Sequence, residues 1–391
     1  MSHRKVYLDN NATTPMHPKV KEKIINTMDI FGNPSSLHEY GRKARQLITE
    51  SRQEIADFIN ADPEEMIFVG SGSEANNTVL SMLTCPSKPC TLHSDQKPHV
   101  ITTKIEHPCI LETASCINQT AEVDYLQVDE NGKIALEELK NKLKSNTILV
   151  SVMMANNEIG TIQDIKKIAE IVQEYGSLFH TDAVQGVGKI PVNVKELGID
   201  YLSMSAHKIY GPKGIGALYI KKGAPFCPFI HGGHQEKGRR AGTENTSGII
   251  GFAEAIRQRR QEMDGEAQRL AQLRKKLKQG LKSNIKKIKF IGDQTDTLPN
   301  TLNVAFYGVE GEAILLYLDN EGIAVSTGSA CSSGSTEPSH VISATGLEQE
   351  FIHGSIRISM GRETTEDDID YTIKTFTSVI KRLRSFTTFN N

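Results

Sequence analysis

The chain has 391 residues, more than one small core needs, and a length that suits two lobes of unequal size. Its 45 basic and 47 acidic residues leave a net charge of −2, so no basic stripe marks it as a direct nucleic-acid binder. The longest apolar stretch, around Ile148 to Ala155, is far short of a membrane span. The opening MSHRKVYLDNNATT runs at once into a strand-like segment, which is expected to leave no room for a signal peptide. Six cysteines stand at Cys85, Cys90, Cys109, Cys116, Cys227 and Cys331, none in a CxxC pair. That spacing speaks against a zinc site and, at this length, against a disulfide framework. Reduced thiols and a cytoplasmic location are the expectation.

In chain order, Ala44, Leu47, Ile48, Ser51, Ile55, Ala56 and Ile59 recur at helical spacing and predict one long amphipathic helix. Strands are predicted at Met66–Val69, Val100–Thr103, Val123–Val128, Thr147–Met153, Leu178–Thr181, Tyr201–Met204 and Gly216–Ile220. Helical segments such as Leu136–Leu143 and Ile165–Tyr175 lie between them. The alternation predicts an α/β fold with a mainly parallel, seven-stranded sheet and helices on both faces. From Thr243–Gly251 a long charged helix runs to about residue 282. Beyond it, Ile288–Ile291, Thr301–Phe306, Ala313–Leu318 and Ser355–Ser359 read as a smaller α+β lobe. The expected division is a large domain at 15–260 and a small one made of 1–14 and 261–391.

Five segments place polar residues at the ends of apolar strands, where open α/β sheets collect ligands. In Phe68-Val-Gly-Ser-Gly-Ser-Glu-Ala-Asn-Asn77 a strand turns through glycines into a helix. Its free N–H groups and the Ser73 hydroxyl suit a phosphate, although a plain serine cap reads the same way. Asp182, at the end of its strand, is either a partner for a protonated pyridine nitrogen or a cap for the next turn. Lys208 follows a strand, has Ser205 and His207 beside it, and precedes a glycine-rich turn. Most lysines are solvated surface charges, but one in a partly desolvated, cationic pocket loses its proton and condenses with carbonyls. Cys331 lies in Ser326-Thr-Gly-Ser-Ala-Cys-Ser-Ser-Gly-Ser335, too small and polar to build a core. It is expected on an exposed, mobile loop at about 326–338, as a reactive thiol; the other five cysteines read as packing or incidental. Arg357, inside an apolar alternation, needs either a substrate carboxylate or an internal ion pair.

Tyr7-Leu-Asp-Asn-Asn-Ala-Thr-Thr14, Gly32-Asn-Pro-Ser-Ser36, Glu106-His107, Asn156-Asn-Glu-Ile-Gly160, His207-Lys208 and Gly328-Ser-Ala-Cys331 together resemble the NifS/IscS-type, group I cysteine desulfurases. These are class V aminotransferase-like enzymes of the fold type I pyridoxal-phosphate (PLP) group. The resemblance runs from the first strand to about residue 385, and Arg239-Arg-Ala-Gly-Thr-Glu-Asn245 looks closer to the NifS branch. It implies conversion of L-cysteine to L-alanine, with the sulfur passed as a persulfide to iron–sulfur cluster assembly or other acceptors.

Residue by residue, the resemblance makes Lys208 the lysine that carries PLP and Asp182 the partner of the ring nitrogen. His107 becomes the imidazole over the ring and Gln185 the hydrogen-bond partner of the phenolic oxygen. Asn157 falls beside cofactor and substrate, and Gly72, Ser73, Ser205 and His207 fall on the phosphate side. Thr243 would reach the phosphate of a neighbouring subunit, implying a homodimer. Arg357 would bind the substrate carboxylate and Cys331 would receive the sulfur. No resident metal is implied, beyond a transient iron–sulfur contact of Cys331 with a scaffold or other acceptor protein. Three features depart from the family pattern. Val69-Gly-Ser-Gly-Ser-Glu74 stands for the usual Thr-Ser-Gly-x-Thr-Glu, with a hydroxyl kept at Ser73. His234 replaces a common glycine. After its last helix the chain stops at Asn391, so the scaffold-docking segment of the IscS branch is not evident. The rival readings are a selenocysteine lyase or small-substrate aminotransferase of the same fold, or an inactive PLP-binding scaffold.

Overall fold

The structure, a computed structural model, describes residues 4–84, 97–327 and 338–386. The strands, in chain order, are β1 (Val6–Tyr7), β2 (Met66–Val69), β3 (His99–Thr103), β4 (Glu122–Leu126), β5 (Thr147–Ser151), β6 (Leu178–Asp182), β7 (Tyr201–Ser205), β8 (Gly216–Ile220), β9 (Ile288–Ile291), β10 (Thr301–Phe306), β11 (Ile323–Ala324) and β12 (Ser355–Ser359). The helices are α1 (Pro18–Ile25), α2 (Glu39–Phe58), α3 (Gly72–Ser81), α4 (Pro108–Ile117), α5 (Leu136–Lys142), α6 (Ile165–Glu174), α7 (Val194–Leu197), α8 (Thr246–Asn284), α9 (Gly311–Asn320), α10 (His340–Ala344), α11 (Gln349–Ile352) and α12 (Glu366–Ser385). Among the described residues no helix is long and apolar enough to cross a membrane.

The main sheet has the order β2-β8-β7-β6-β5-β3-β4. Only β8 runs antiparallel to its neighbours; the pairs β7–β6, β6–β5, β5–β3 and β3–β4 are parallel. Strands β2, β3, β7 and β8 are buried on every residue because both faces are covered, whereas the edge strand β4 is partly exposed. Successive side chains point to opposite faces, so one strand feeds two cores. Met66 and Phe68 enter the core under α2, α6 and the first half of α8, whereas Ile67 and Val69 pack with Val79 of α3 on the other side. β8 repeats this with Ala217 and Tyr219 against Leu218 and Ile220.

The predicted strands β4 and β5 end two residues early, at Leu126 and Ser151. Val128 has left the ladder for an antiparallel bridge to Ile134. Beyond β5 the backbone still runs beside β6, with Val152 N–H donating to His180 O and Met154 N–H to Asp182 O. The predicted amphipathic helix extends five residues further upstream, as α2, because His38 caps it through its ring nitrogen.

A second, three-stranded antiparallel sheet has the order β12-β10-β9, and β1 pairs in parallel with β11. Its core holds Leu302, Val304, Phe306, Ile356 and Ile358, with the Phe306 and Phe376 rings stacked at 5.7 Å. Helix α8 serves both cores. Ile249, Phe252 and Ile256 sit in the first, and Leu270, Leu273, Leu277 and Leu281, on one face of its second half, sit in the other. At 39 residues it is about 58 Å long.

The edge strand β2 is pinned from outside the sheet. Glu236, buried and at φ 46°, is gripped by Arg52: Nη1 donates to Oε2 and Nη2 to Oε1, each at 2.7 Å. The Phe68 N–H also donates to Oε2 at 3.0 Å. The neighbouring His234 has φ −88°, a conformation any residue adopts, so the backbone there does not require glycine. Arg52→Met leaves the Glu236 carboxylate buried without its bidentate partner. We expect a loss of about 3 kcal/mol, read as a lower urea midpoint with an unchanged slope.

Candidate active site

Because β2, β7, β6, β5 and β3 all point the same way, their C-terminal ends deliver side chains to one rim of the sheet. A cavity of about 320 Å³ lies there. From β2, Gly72 and Ser73 form the first turn of α3, with Ser71 as its N-cap accepting from Glu74 N–H at 3.0 Å. From β3 comes His107, which caps α4, and from β5 comes Asn157. Strand β6 ends in Asp182 and leads to Gln185; β7 ends in Ser205 and leads to His207 and Lys208. Arg357 arrives from β12, and Asn11 and Ala12 from the segment after β1. Ten of the predicted residues thus line one cavity.

The first turn of α3 faces the cavity with N–H groups, the usual seat for an anion. Glu74 would oppose one, but its carboxylate is engaged by Arg240 at 2.8 Å and by Gly70 N–H at 2.7 Å. Gly72 is held close: a Cβ there would stand 2.6 Å from Val184 Cγ2. Asp182 accepts from Asn76 Nδ2 at 2.7 Å on one oxygen and from Val184 N–H at 2.9 Å on the other. It therefore caps the next turn, and each oxygen still has a lone pair to offer. Lys208 Nζ donates to the carbonyls of Asn11 and Ala12 at 2.7 and 2.8 Å. Arg357 is ion-paired to Asp9 at 2.7 Å, so the internal ion pair is realised, while its Nε is buried with no partner among the described residues.

The imidazoles here are kept neutral. Burial lowers the pKa of His107, and Lys208 and His340 add to this against the pull of Asp182. Burial and the nearby Lys208 and Lys213 charges bring His207 down to about 4. His107 Nδ1 accepts from Cys109 N–H at 3.2 Å and lies 3.0 Å from Cys109 Sγ. Burial and the Asp182 charge push that thiol up to about 12. A protonated thiol makes a donor to His107, not a nucleophile.

One predicted residue is not in this cavity. Thr243 is exposed and lines a separate cavity of about 180 Å³ with Gly70, Arg240 and Gly242. Cys331 lies outside the described residues. Conversely, Cys109, expected to be incidental, lines the cavity and touches His107; its place two residues after that histidine was the available signal. Asn11 and Asn76 also went unpredicted, because asparagine in a loop or helix carries no spacing signature. His99, Glu122 and Asp124 come within metal-ligand reach of one another elsewhere, but Lys144 already bonds both carboxylates.

The sequence profile of the class-V aminotransferases matches residues 6–372. The chain is 47% identical over 388 residues to a cysteine desulfurase IscS of Dictyoglomus turgidum, covering 99% of this chain and 97% of that one. It is 44% identical over 388 residues to cysteine desulfurase 1 of Trichormus variabilis, covering 99% and 95%. Among solved structures, a NifS-like protein superposes with a TM-score of 0.90 at 37% identity, covering 97% of this chain and 100% of the other. The chain belongs to the class-V aminotransferase family of fold type I PLP enzymes, among the NifS- and IscS-type cysteine desulfurases.

Proposed function

We propose that the chain takes sulfur from L-cysteine and leaves L-alanine, with PLP carried on Lys208 and the sulfur received as a persulfide on Cys331. The observation that carries this reading is the meeting of an amine, a carboxylate, a neutral imidazole, a guanidinium and a helix N-terminus in one cavity. Relatives named cysteine desulfurase at 44–47% identity favour it over a selenocysteine lyase, a small-substrate aminotransferase or an inactive scaffold.

The donor set fits PLP. Gly72 and Ser73 at the start of α3, with Ser205 and His207, would hold the phosphate, and a neutral His207 meets it with one N–H. Asp182, fixed by Asn76 and Val184, would hold the ring nitrogen, His107 would lie against the ring, and Gln185 would serve its phenolic oxygen. When bound, PLP supplies an electron sink for charge developed at the substrate Cα. Arg357 would bind the substrate carboxylate through the N–H groups that Asp9 leaves over, with Asn157 beside it. Lys208, released from the cofactor, would remove the Cα proton. The Cys331 thiolate would then attack the substrate sulfur, forming an S–S bond as the C–S bond breaks, and alanine leaves once its carbon is reprotonated.

The large domain of this reading is 15–260 and the small one 1–14 with 261–391; their separate apolar cores support the division. The exposed Thr243 supports a homodimer in which it reaches the neighbouring phosphate. A cytoplasmic enzyme delivering sulfur to an acceptor or iron–sulfur scaffold protein completes the proposal. After addition of L-cysteine to PLP-loaded protein, alanine and a protein persulfide should appear together. Cys331→Ala should remain yellow yet lose sulfide production, and Lys208→Ala should lose both the covalent cofactor and turnover. Full desulfuration by Cys331→Ala would overturn the persulfide assignment.

Glu106, fully buried beside His107, takes part without touching the substrate cavity. Its Oε1 accepts from Met153 N–H at 2.8 Å and from Thr103 Oγ1 at 2.9 Å. Burial, with the Asp182 charge in support, still pushes its carboxyl up to about 8 from 4.5. Between those values the unfolded chain binds fewer protons than the folded one, so stability falls as pH rises from about 5 to 8. Glu106→Gln keeps both acceptor contacts and removes this penalty. Its advantage over the native chain in urea unfolding should grow by up to about 1.4 kcal/mol per pH unit across that window.

A further inference from the structure

Lys189 has no part in the chemistry above and does not line the cavity, yet it bonds two residues that do, Gln185 and Asn11. Gly188, at φ 75°, makes the turn that brings it there, and a Cβ on that residue would stand 2.7 Å from Ile209 Cγ2. Glycine alone suits both demands. Lys189 Nζ donates to Gln185 Oε1 at 2.5 Å and to Asn11 Oδ1 at 2.9 Å. Neither acceptor is charged. Burial, then the charges of Lys208, Arg357 and Arg259, move its pKa well below the ordinary lysine range, against the opposing pull of Glu266.

The two ends of a glutamine amide are nearly the same shape, so its orientation is decided by its partners. Lys189 donates and therefore demands the oxygen. That leaves Nε2 as the other end, where it donates to Asn11 O at 3.0 Å. Its second hydrogen meets no described acceptor. We propose that Lys189 is a positioning residue for the cofactor: by holding Gln185 Oε1 it makes Gln185 present N–H, and not C=O, to the phenolic oxygen. The inference rests on the role of Gln185 proposed above.

The test is a double-mutant cycle on PLP-loaded, substrate-free enzyme, reading the pH midpoint of the bound cofactor's absorption band. Gln185→Ala and Lys189→Met should each move the midpoint in the same direction by about 1 pH unit. The double variant should match Gln185→Ala, because groups acting through one contact are not additive. A merely structural role for Lys189 predicts no shift for Lys189→Met, or shifts that add, and either result overturns the inference. If Gln185→Ala itself leaves the midpoint in place, the Gln185 assignment fails and the Lys189 role falls with it. Should Lys189→Met not fold, Lys189→Gln, which keeps an amide donor, is expected to hold the native midpoint; a shift as large as that of Gln185→Ala would count against the proposal.

Discussion

The site hangs on one buried side chain, Asn11. Its carbonyl accepts from Lys208 and Gln185, its amide oxygen from Lys189 and Asn300, and its amide nitrogen donates to Asn157 O and Thr301 Oγ1. Its backbone N–H is bonded to Ser359 Oγ. Every donor and acceptor an asparagine owns is therefore in use. The residues it joins come from the ends of β5, β6 and β7 on one side and from β10 and β12 on the other. Aspartate would lose two donors and leucine all four side-chain partners, each stranding buried groups at a cost of about 1–3 kcal/mol apiece. Geometry that later steps treat as given, above all where the Lys208 amine stands, is set by this residue.

Electrostatics around that hub are one-sided. Lys208 and Arg357 both line the cavity; Asp9 answers only Arg357, and Asp182 is already bonded by Asn76 and the Val184 N–H. A positive pocket of this kind suits a ligand that brings its own negative charge, such as a phosphate ester or an amino-acid carboxylate. Neutral His107 and His207 keep the excess from growing further. Burial and like charges push the Lys189 pKa down, while burial and the Asp182 charge hold Cys109 in its thiol form.

Most of the fold was legible in the sequence because both-face burial writes itself as short, unbroken apolar runs. Met66–Val69 and Gly216–Ile220 needed no correction. Strand ends were harder: Val152 to Met154 are as apolar as the strand before them, and only their partners on β6 show where the ladder stops. Residues at strand ends, such as Asp182 and Lys208, announced themselves by being polar after an apolar run. Asn11 and Asn76 did not, since their importance lies in contacts made across more than 100 positions of chain; nor did Lys189, whose hold on Gln185 is local but whose burial the sequence does not mark. Arg357 was read correctly as needing a partner, and the structure supplies Asp9 for part of it. Thr243 gains nothing from a single subunit, because its proposed partner is on another chain.

Helix α8 is threaded through both apolar cores, with its first half facing one and its leucine stripe facing the other. Each residue advances a helix by about 100°. One residue inserted near Asp264 or Gly265 would turn Leu270, Leu273, Leu277 and Leu281 a quarter of the way round toward water. Helix length between the cores is thus fixed twice over: a seven-residue insertion would restore the face but lengthen the span by about 10 Å. This stretch works as a ruler, and its count of residues should be as restricted as the identity of any group in the site.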